Sequence, residues 1–269
     1  MQEMFANPAV QGAVAPFIAG LAVAALLNRF RLGGLAVVAA FATAVYFIAG
    51  FTFAPLTATR KIILLGLAAP VAGIVIDFAF RPTRFGATLL ALAGAAAAAW
   101  IFWPVLAQKD WARGLLLGGT AALAAAWTVG FSQTRLAGDG VRAGAAGLAL
   151  GAGSGAAAIL GASLTYGLYG IAVAAGSGAF LLLQMITGKR RHAGATFMLA
   201  AAVITILFAA AAMILAQLPW YAVLALALVP VAASLPVPAG APVWLQAVLL
   251  SIYGFVVAGI ACALAWQAG

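Results

Sequence analysis

Two serines set between glycines stand out against a background of aliphatic residues: Gly153-Ser154-Gly155 and Gly176-Ser177-Gly178. A hydroxyl both donates and accepts, and flanking glycines loosen the helix around it. Within an apolar helix such a tripeptide can offer a hydroxyl and freed carbonyls to an ion or a small polar solute. Gln184 follows Ser177 by seven residues, two helical turns, and so shares its face. The plainer reading is a tightly packed helix pair with each serine bonded to its own backbone. Asp77 is the one acidic residue expected inside an apolar run. A carboxylate there can carry a proton or bind a cationic group. Arg81, four residues on, favours instead an ordinary intrahelical ion pair at the membrane edge, with Arg84 also in reach.

The residues that most other chemistry needs are missing. His192 is the only histidine and lies in a basic loop, Cys262 is the only cysteine, and Asp and Glu together number 4. That excludes haem held by two buried histidines and argues against zinc or di-iron. There is no phosphate loop, no dinucleotide fingerprint and no Ser-His-acid set. No catalytic residue, metal site or cofactor is therefore expected. The arginine groups suit a lipid headgroup but bring no carboxylates for Mg²⁺. Cys262 excludes an intrachain disulfide and reads as a small packing residue.

The elements that must carry these side chains follow from composition. Hydrophobic residues make up 67% of the 269, charged residues 6%, and mean hydropathy is +1.19. So few charges do not cover a soluble surface, and in lipid every backbone polar group must be paired within helices or a closed barrel. Apolar runs of about twenty residues, rather than strands alternating over about ten, predict an all-α polytopic bundle. Ten spans are expected, over about 9–28, 33–54, 62–80, 86–107, 114–131, 143–164, 167–187, 194–217, 219–235 and 243–266. They form a single integral membrane domain over 1–269, with a tight turn near Tyr166 and Gly167 and a ninth span interrupted by Pro230. Pro16, Pro70 and Pro104 read as kinks. Ten spans divide into two five-helix halves, and an odd number per half makes them inverted, a common transporter plan. The resemblance of Gly34-Leu-Ala-Val37 to Gly170-Ile-Ala-Val173 is near chance in such a chain.

Orientation follows from the basic residues. Alternate loops hold Arg29, Arg31, Arg81, Arg84, Arg135, Arg142, Lys189, Arg190 and Arg191 on one side, against Arg60, Lys61, Lys109 and Arg113 on the other. The first set is expected in the cytoplasm, with both termini outside. Met1–Asn7 has no basic residue and does not read as a signal peptide. The net charge of +9 is dispersed between apolar runs, which argues against nucleic acid. Trp100, Trp103, Trp111, Tyr166, Tyr169, Trp220, Tyr221 and Trp266 fall at the expected outer interface. Gly147, Gly151 and Gly155, and Gly170, Ala174 and Gly178, recur every four residues and are expected to let two helices approach closely.

Three functional classes fit. A small permease for a small neutral or weakly polar solute would use Ser154, Ser177, Gln184 and Asp77. A non-catalytic subunit of a larger membrane complex would use the small-residue faces. A lipid-modifying enzyme ranks last for want of a nucleophile. Membrane lipids, and for the second class other integral membrane subunits, are the expected partners.

Overall fold

The structure, a computed structural model, describes residues 7–80, 83–238 and 240–268. Among these there are helices and turns but no strand. Eight helices among the described residues are long and apolar enough to cross a membrane: α1 (Val10–Leu27), α3 (Ala58–Ala79), α4 (Arg84–Leu106), α5 (Trp111–Arg135), α6 (Gly140–Leu160), α7 (Leu164–Thr187), α8 (Gly194–Leu215) and α10 (Val243–Ala268). Two shorter apolar elements, α2 (Gly33–Ile48) and α9 (Trp220–Ala233), complete the order. The chain is a membrane-embedded helical bundle.

The short elements have local causes. α2 was expected to run to about residue 54, but it stops at Ile48, and Gly50 takes φ +65°, a left-handed conformation that ends the helix without a Cβ penalty. α9 breaks after Leu226 and restarts at Val229, with Pro230 at the start of the second piece. Proline lacks an N–H and cannot continue the hydrogen-bond ladder there. In α1 the backbone is π-helical over Val10–Val14, just ahead of Pro16, a wider turn that relieves the ring's clash with the preceding carbonyl.

Pro104 has the same effect on α4, and here the structure supplies a replacement. Proline at position 104 leaves the carbonyl of Trp100, four residues earlier, without its helical donor. Lys61 Nζ donates to that carbonyl at 3.2 Å and lies 4.5 Å from the centre of the Trp100 ring. Lys61 is one of the four basic residues at the end opposite the main arginine groups, and this contact gives it a structural reason to be there. Lys61→Leu is expected to destabilise the protein by about 1 kcal/mol. Adding Pro104→Ala restores the backbone donor, so the double variant should lose less than Lys61→Leu alone in a thermal unfolding cycle.

α8 is the centre of the bundle. Of its apolar window 89% is buried, against 22% for α1 and α4. A helix that is apolar all round belongs inside. It packs against α2, α3, α5, α6 and α7, and more lightly against α4 and α9. α3 lies directly on it because Gly73 leaves room: a Cβ there would stand 2.5 Å from the Thr196 Cα. Buried residues contributed by every one of the ten elements form one contiguous core.

The aromatic residues expected at the outer interface differ in burial. Trp100, Trp103, Trp111, Trp220, Tyr221 and Trp266 are exposed. Tyr169 is fully buried, stacked on Phe208 at 4.7 Å and edge-on to Phe41 at 5.7 Å, and is a core residue rather than an interface anchor. Tyr166 packs against the same Phe208, and its hydroxyl lies 3.2 Å from that of Thr59.

Candidate functional site

The α6–α7 pair forms as the small residues require. Asp139 starts α6 by accepting from the backbone N–H groups of Val141 and Arg142, and Gly188, at φ +62°, ends α7. Between these ends the backbones nearly touch. A Cβ on Gly151 would stand 2.5 Å from the Ala174 nitrogen, and one on Gly170 would stand 2.6 Å from the Gly155 nitrogen. Gly147 faces Ser177, whose Oγ would lie 2.5 Å from an added Cβ. Gly147, Gly151 and Gly155 thus make the expected seam with Gly170 and Ala174, which Gly167 extends.

Gly178 does not belong to that seam. An added Cβ would meet only Leu148, at an ordinary 3.5 Å, and the residue faces a groove on the outside of the bundle. The second tripeptide divides its residues among three neighbours. Gly176 packs on α2, where a Cβ would come 2.8 Å from the Ala36 carbonyl, Ser177 turns to α6, and Gly178 turns outward. The two serines also do not meet. The turn between the helices falls at Gly161–Ser163 rather than near Tyr166, and Ser177 pairs in level with Gly147. Ser154 is seven residues further along α6, about 10 Å at helical rise. Its Oγ donates to the Gly151 carbonyl at 3.1 Å. Ser177 Oγ, wholly buried, makes no hydrogen bond within the protein. It therefore differs from Ser154, which is satisfied by its own helix.

Further polar atoms share this condition. Thr128 Oγ1, Ser132 Oγ and Tyr169 Oη are buried and unpartnered. Thr128 and Ser132 stand one turn apart on α5, and α5 and α7 both pack on α8. Four uncommitted hydroxyls thus stand on helices that flank the central one. Each is a neutral group able both to donate and to accept a hydrogen bond.

At the arginine-rich end several of the polar side chains are tied to backbone or to one another. Asp77, on α3, does not face solvent as a free carboxylate. Its Oδ1 accepts from the Ala195 N–H at 2.7 Å, and its Oδ2 accepts from the Thr196 N–H at 2.9 Å and the Thr196 hydroxyl at 2.7 Å. The carboxylate caps α8 across the bundle, where the helix dipole favours a negative charge. Arg81, the partner expected from spacing, lies outside the described residues. Among the described residues the ion pairs are made by Asp139, with Arg142 at 3.6 Å and Arg190 at 3.1 Å, and none involves Asp77 or Arg84.

Gln184, expected beside Ser177 as a ligand-binding group, is a tie instead. Its Nε2 donates to the Gly140 carbonyl at 3.1 Å, and its Oε1 accepts from the Arg191 N–H at 2.9 Å, so it joins the end of α7 to the start of α6. Arg142 donates to the carbonyls of Ala233 at 3.1 Å and Leu235 at 2.8 Å, closing the end of α9. Arg190 also donates to the Gln246 Oε1. Asp139, Arg142, Arg190 and Gln246 were not foreseen as one network. The signal was weak but present: a lone Gln near the start of an apolar run, and an Asp three residues before an Arg. Among the described residues no three His, Cys, Asp or Glu side chains gather as a metal site would need.

No known protein family, characterised protein or solved structure matches this chain.

Proposed function

We propose that the chain is a small secondary transporter or permease for a small neutral or weakly polar solute. We place it in a bacterial inner membrane, with the arginine-rich end cytoplasmic and both termini on the other side. The observation that carries this reading is the set of buried, unpartnered hydroxyls of Thr128, Ser132, Tyr169 and Ser177 around α8. An unpaired buried hydroxyl costs about 1–3 kcal/mol, so four of them, beside the unpartnered Gln133 Nε2 and Arg191 Nε, call for a use. The broken α9 and the short α2 add to it, because interrupted helices are a transporter device. Inverted five-helix halves have partial support. α1 packs on α2 as α6 does on α7, and α4 on α5 as α9 does on α10, while the close contact of α6 with α10 has no counterpart between α1 and α5.

The test is a thermal-shift screen of purified protein against small neutral and weakly polar solutes, followed by uptake of any hit into proteoliposomes. Ser177→Ala should abolish the shift and the uptake, while Ser154→Ala, whose hydroxyl is spent on its own helix, should leave both unchanged. Equal behaviour of the two variants would remove Ser177 from the path.

A second reading, a non-catalytic subunit of a larger membrane complex, is favoured by a different observation. The grooves of about 420 and 450 Å³ open sideways from the bundle rather than into its interior. Gentle extraction and native mass measurement separate the two readings, because a subunit runs at fixed stoichiometry with partners and a transporter runs alone or as a homo-oligomer.

A further inference from the structure

The two lateral grooves adjoin. Both are lined by Phe17 of α1, Leu148 of α6 and Gly178 of α7. One extends between α7 and α10 to Met185 and Ala247, and the other extends along α1 to Ile171. From Met185 to Ile171 is fourteen residues of α7, about 21 Å at 1.5 Å per residue. The lining is apolar throughout except for Ser251.

A long, apolar groove open to the side of the bundle offers its length to an extended hydrocarbon chain.

The end at Met185 and Ala247 carries the charge such a molecule needs. Ala247 adjoins Gln246, whose Oε1 accepts from Arg190. Arg190 is held from the other side by Asp139, yet its side chain remains 49% exposed. Arg142 and Arg190 share the single carboxylate of Asp139, so the cluster keeps a net positive charge, and the exposed Lys189 is next in sequence. We propose that this groove holds one acyl chain of an anionic phospholipid, whose phosphate is bound by Arg190. The site is independent of the transport reading, because it faces lipid and uses none of the four buried hydroxyls.

Gly178 provides a clean way to close the groove. A side chain there enters open groove space and meets no backbone, so Gly178→Leu fills the channel without disturbing the α6–α7 seam. The experiment is native mass spectrometry of the full chain in mild detergent, with phosphatidylglycerol, phosphatidylcholine or inorganic phosphate added. Thermal unfolding of each variant is measured alongside. The wild type should retain phosphatidylglycerol over phosphatidylcholine by about fivefold, the worth of one arginine at a membrane surface. Arg190→Gln should bring that ratio close to one, and Arg190→Lys should keep most of it. Gly178→Leu should reduce retention of both lipids. If Arg190→Gln does not fold, the Gly178→Leu result decides alone. Unchanged retention in Gly178→Leu would overturn the proposal, as would an unchanged headgroup preference in a folded Arg190→Gln. Suppression of lipid binding by inorganic phosphate alone, with no dependence on Gly178, would assign the arginine to a free anion and overturn it equally.

Discussion

Replacing Gly151 by leucine is expected to prevent the bundle from closing. Every atom that the new Cβ would meet first is backbone: the Ala174 nitrogen at 2.5 Å, the Ala174 Cα at 2.9 Å and the Gly170 carbonyl at 2.9 Å. Backbone cannot rotate away as a side-chain tip can, so α6 and α7 must separate. Separation also removes the contacts of Gly147 with Ser177 and of Gly155 with Gly170. Overpacking a core position costs about 1–3 kcal/mol, and a seam that loses several contacts together should lie at or beyond the top of that range. Cys262 provides the readout. It is the only cysteine, it is half-buried, and its thiol lies 3.8 Å from the Gly153 carbonyl of α6. A thiol-reactive fluorophore should label Gly151→Leu at a temperature far below the wild-type transition, or already at the start of the scan. Gly178→Leu on the neighbouring helix should label like the wild type. Identical curves for the two variants would contradict the seam described here.

The second large effect is expected at Asp77. Asp77→Ala removes the acceptor of three hydrogen bonds at the start of α8, leaving the N–H groups of Ala195 and Thr196 without their partner. Hydrogen bonds to a charged group contribute more than neutral ones, and the cost should be about 3 kcal/mol. Asp77→Asn keeps one carbonyl oxygen and should cost about 1 kcal/mol. The same thiol assay ranks the three proteins. Were Asp77 chiefly a proton carrier, both variants would unfold like the wild type and lose function equally, so stability measured without any substrate separates the roles. Gly194 belongs to this cap. It sits at φ +69°, and a Cβ there would collide with the Asp77 carboxylate.

The bundle itself was legible because lipid imposes long apolar runs, and eight of the ten expected spans coincide within a few residues with helices long enough to cross a membrane. The other two fall on the shorter α2 and the broken α9. The expected span over α2 was too long because Phe51, Phe53 and Ala54 carry apolar character past the true end, which Gly50 marks by conformation rather than by hydropathy. The inside of the bundle was not legible. Lipid tails are as apolar as leucine, so a run of Ala, Val, Ile and Phe reads the same whether it faces lipid or protein. Nothing in such a pattern singles out α8 as the buried centre. The misplaced serine pair has a simple geometric origin. Setting the turn near Tyr166 puts Ser154 level with Ser177. Moving it about four residues back, to Gly161–Ser163, shifts every pairing across the two antiparallel helices by about twice that number and brings Gly147 opposite Ser177. The tie made by Gln184 and the bond from Arg190 to Gln246 join residues up to 56 positions apart, and local spacing has no means of showing them.

The central place of α8 also bears on the order in which the chain is put together. Among the described residues seven helices precede it in the chain and two follow it. Until α8 arrives, Gly34, Gly66 and Gly73 border an empty trench, since the atoms that crowd them most closely belong to Phe197, Ile204 and Thr196. Asp77 has no helix to cap in that interval. The same helix therefore fills the space beside these glycines and satisfies the Asp77 carboxylate, so the interior of the bundle is complete only with α8 in place, as an arch is with its keystone.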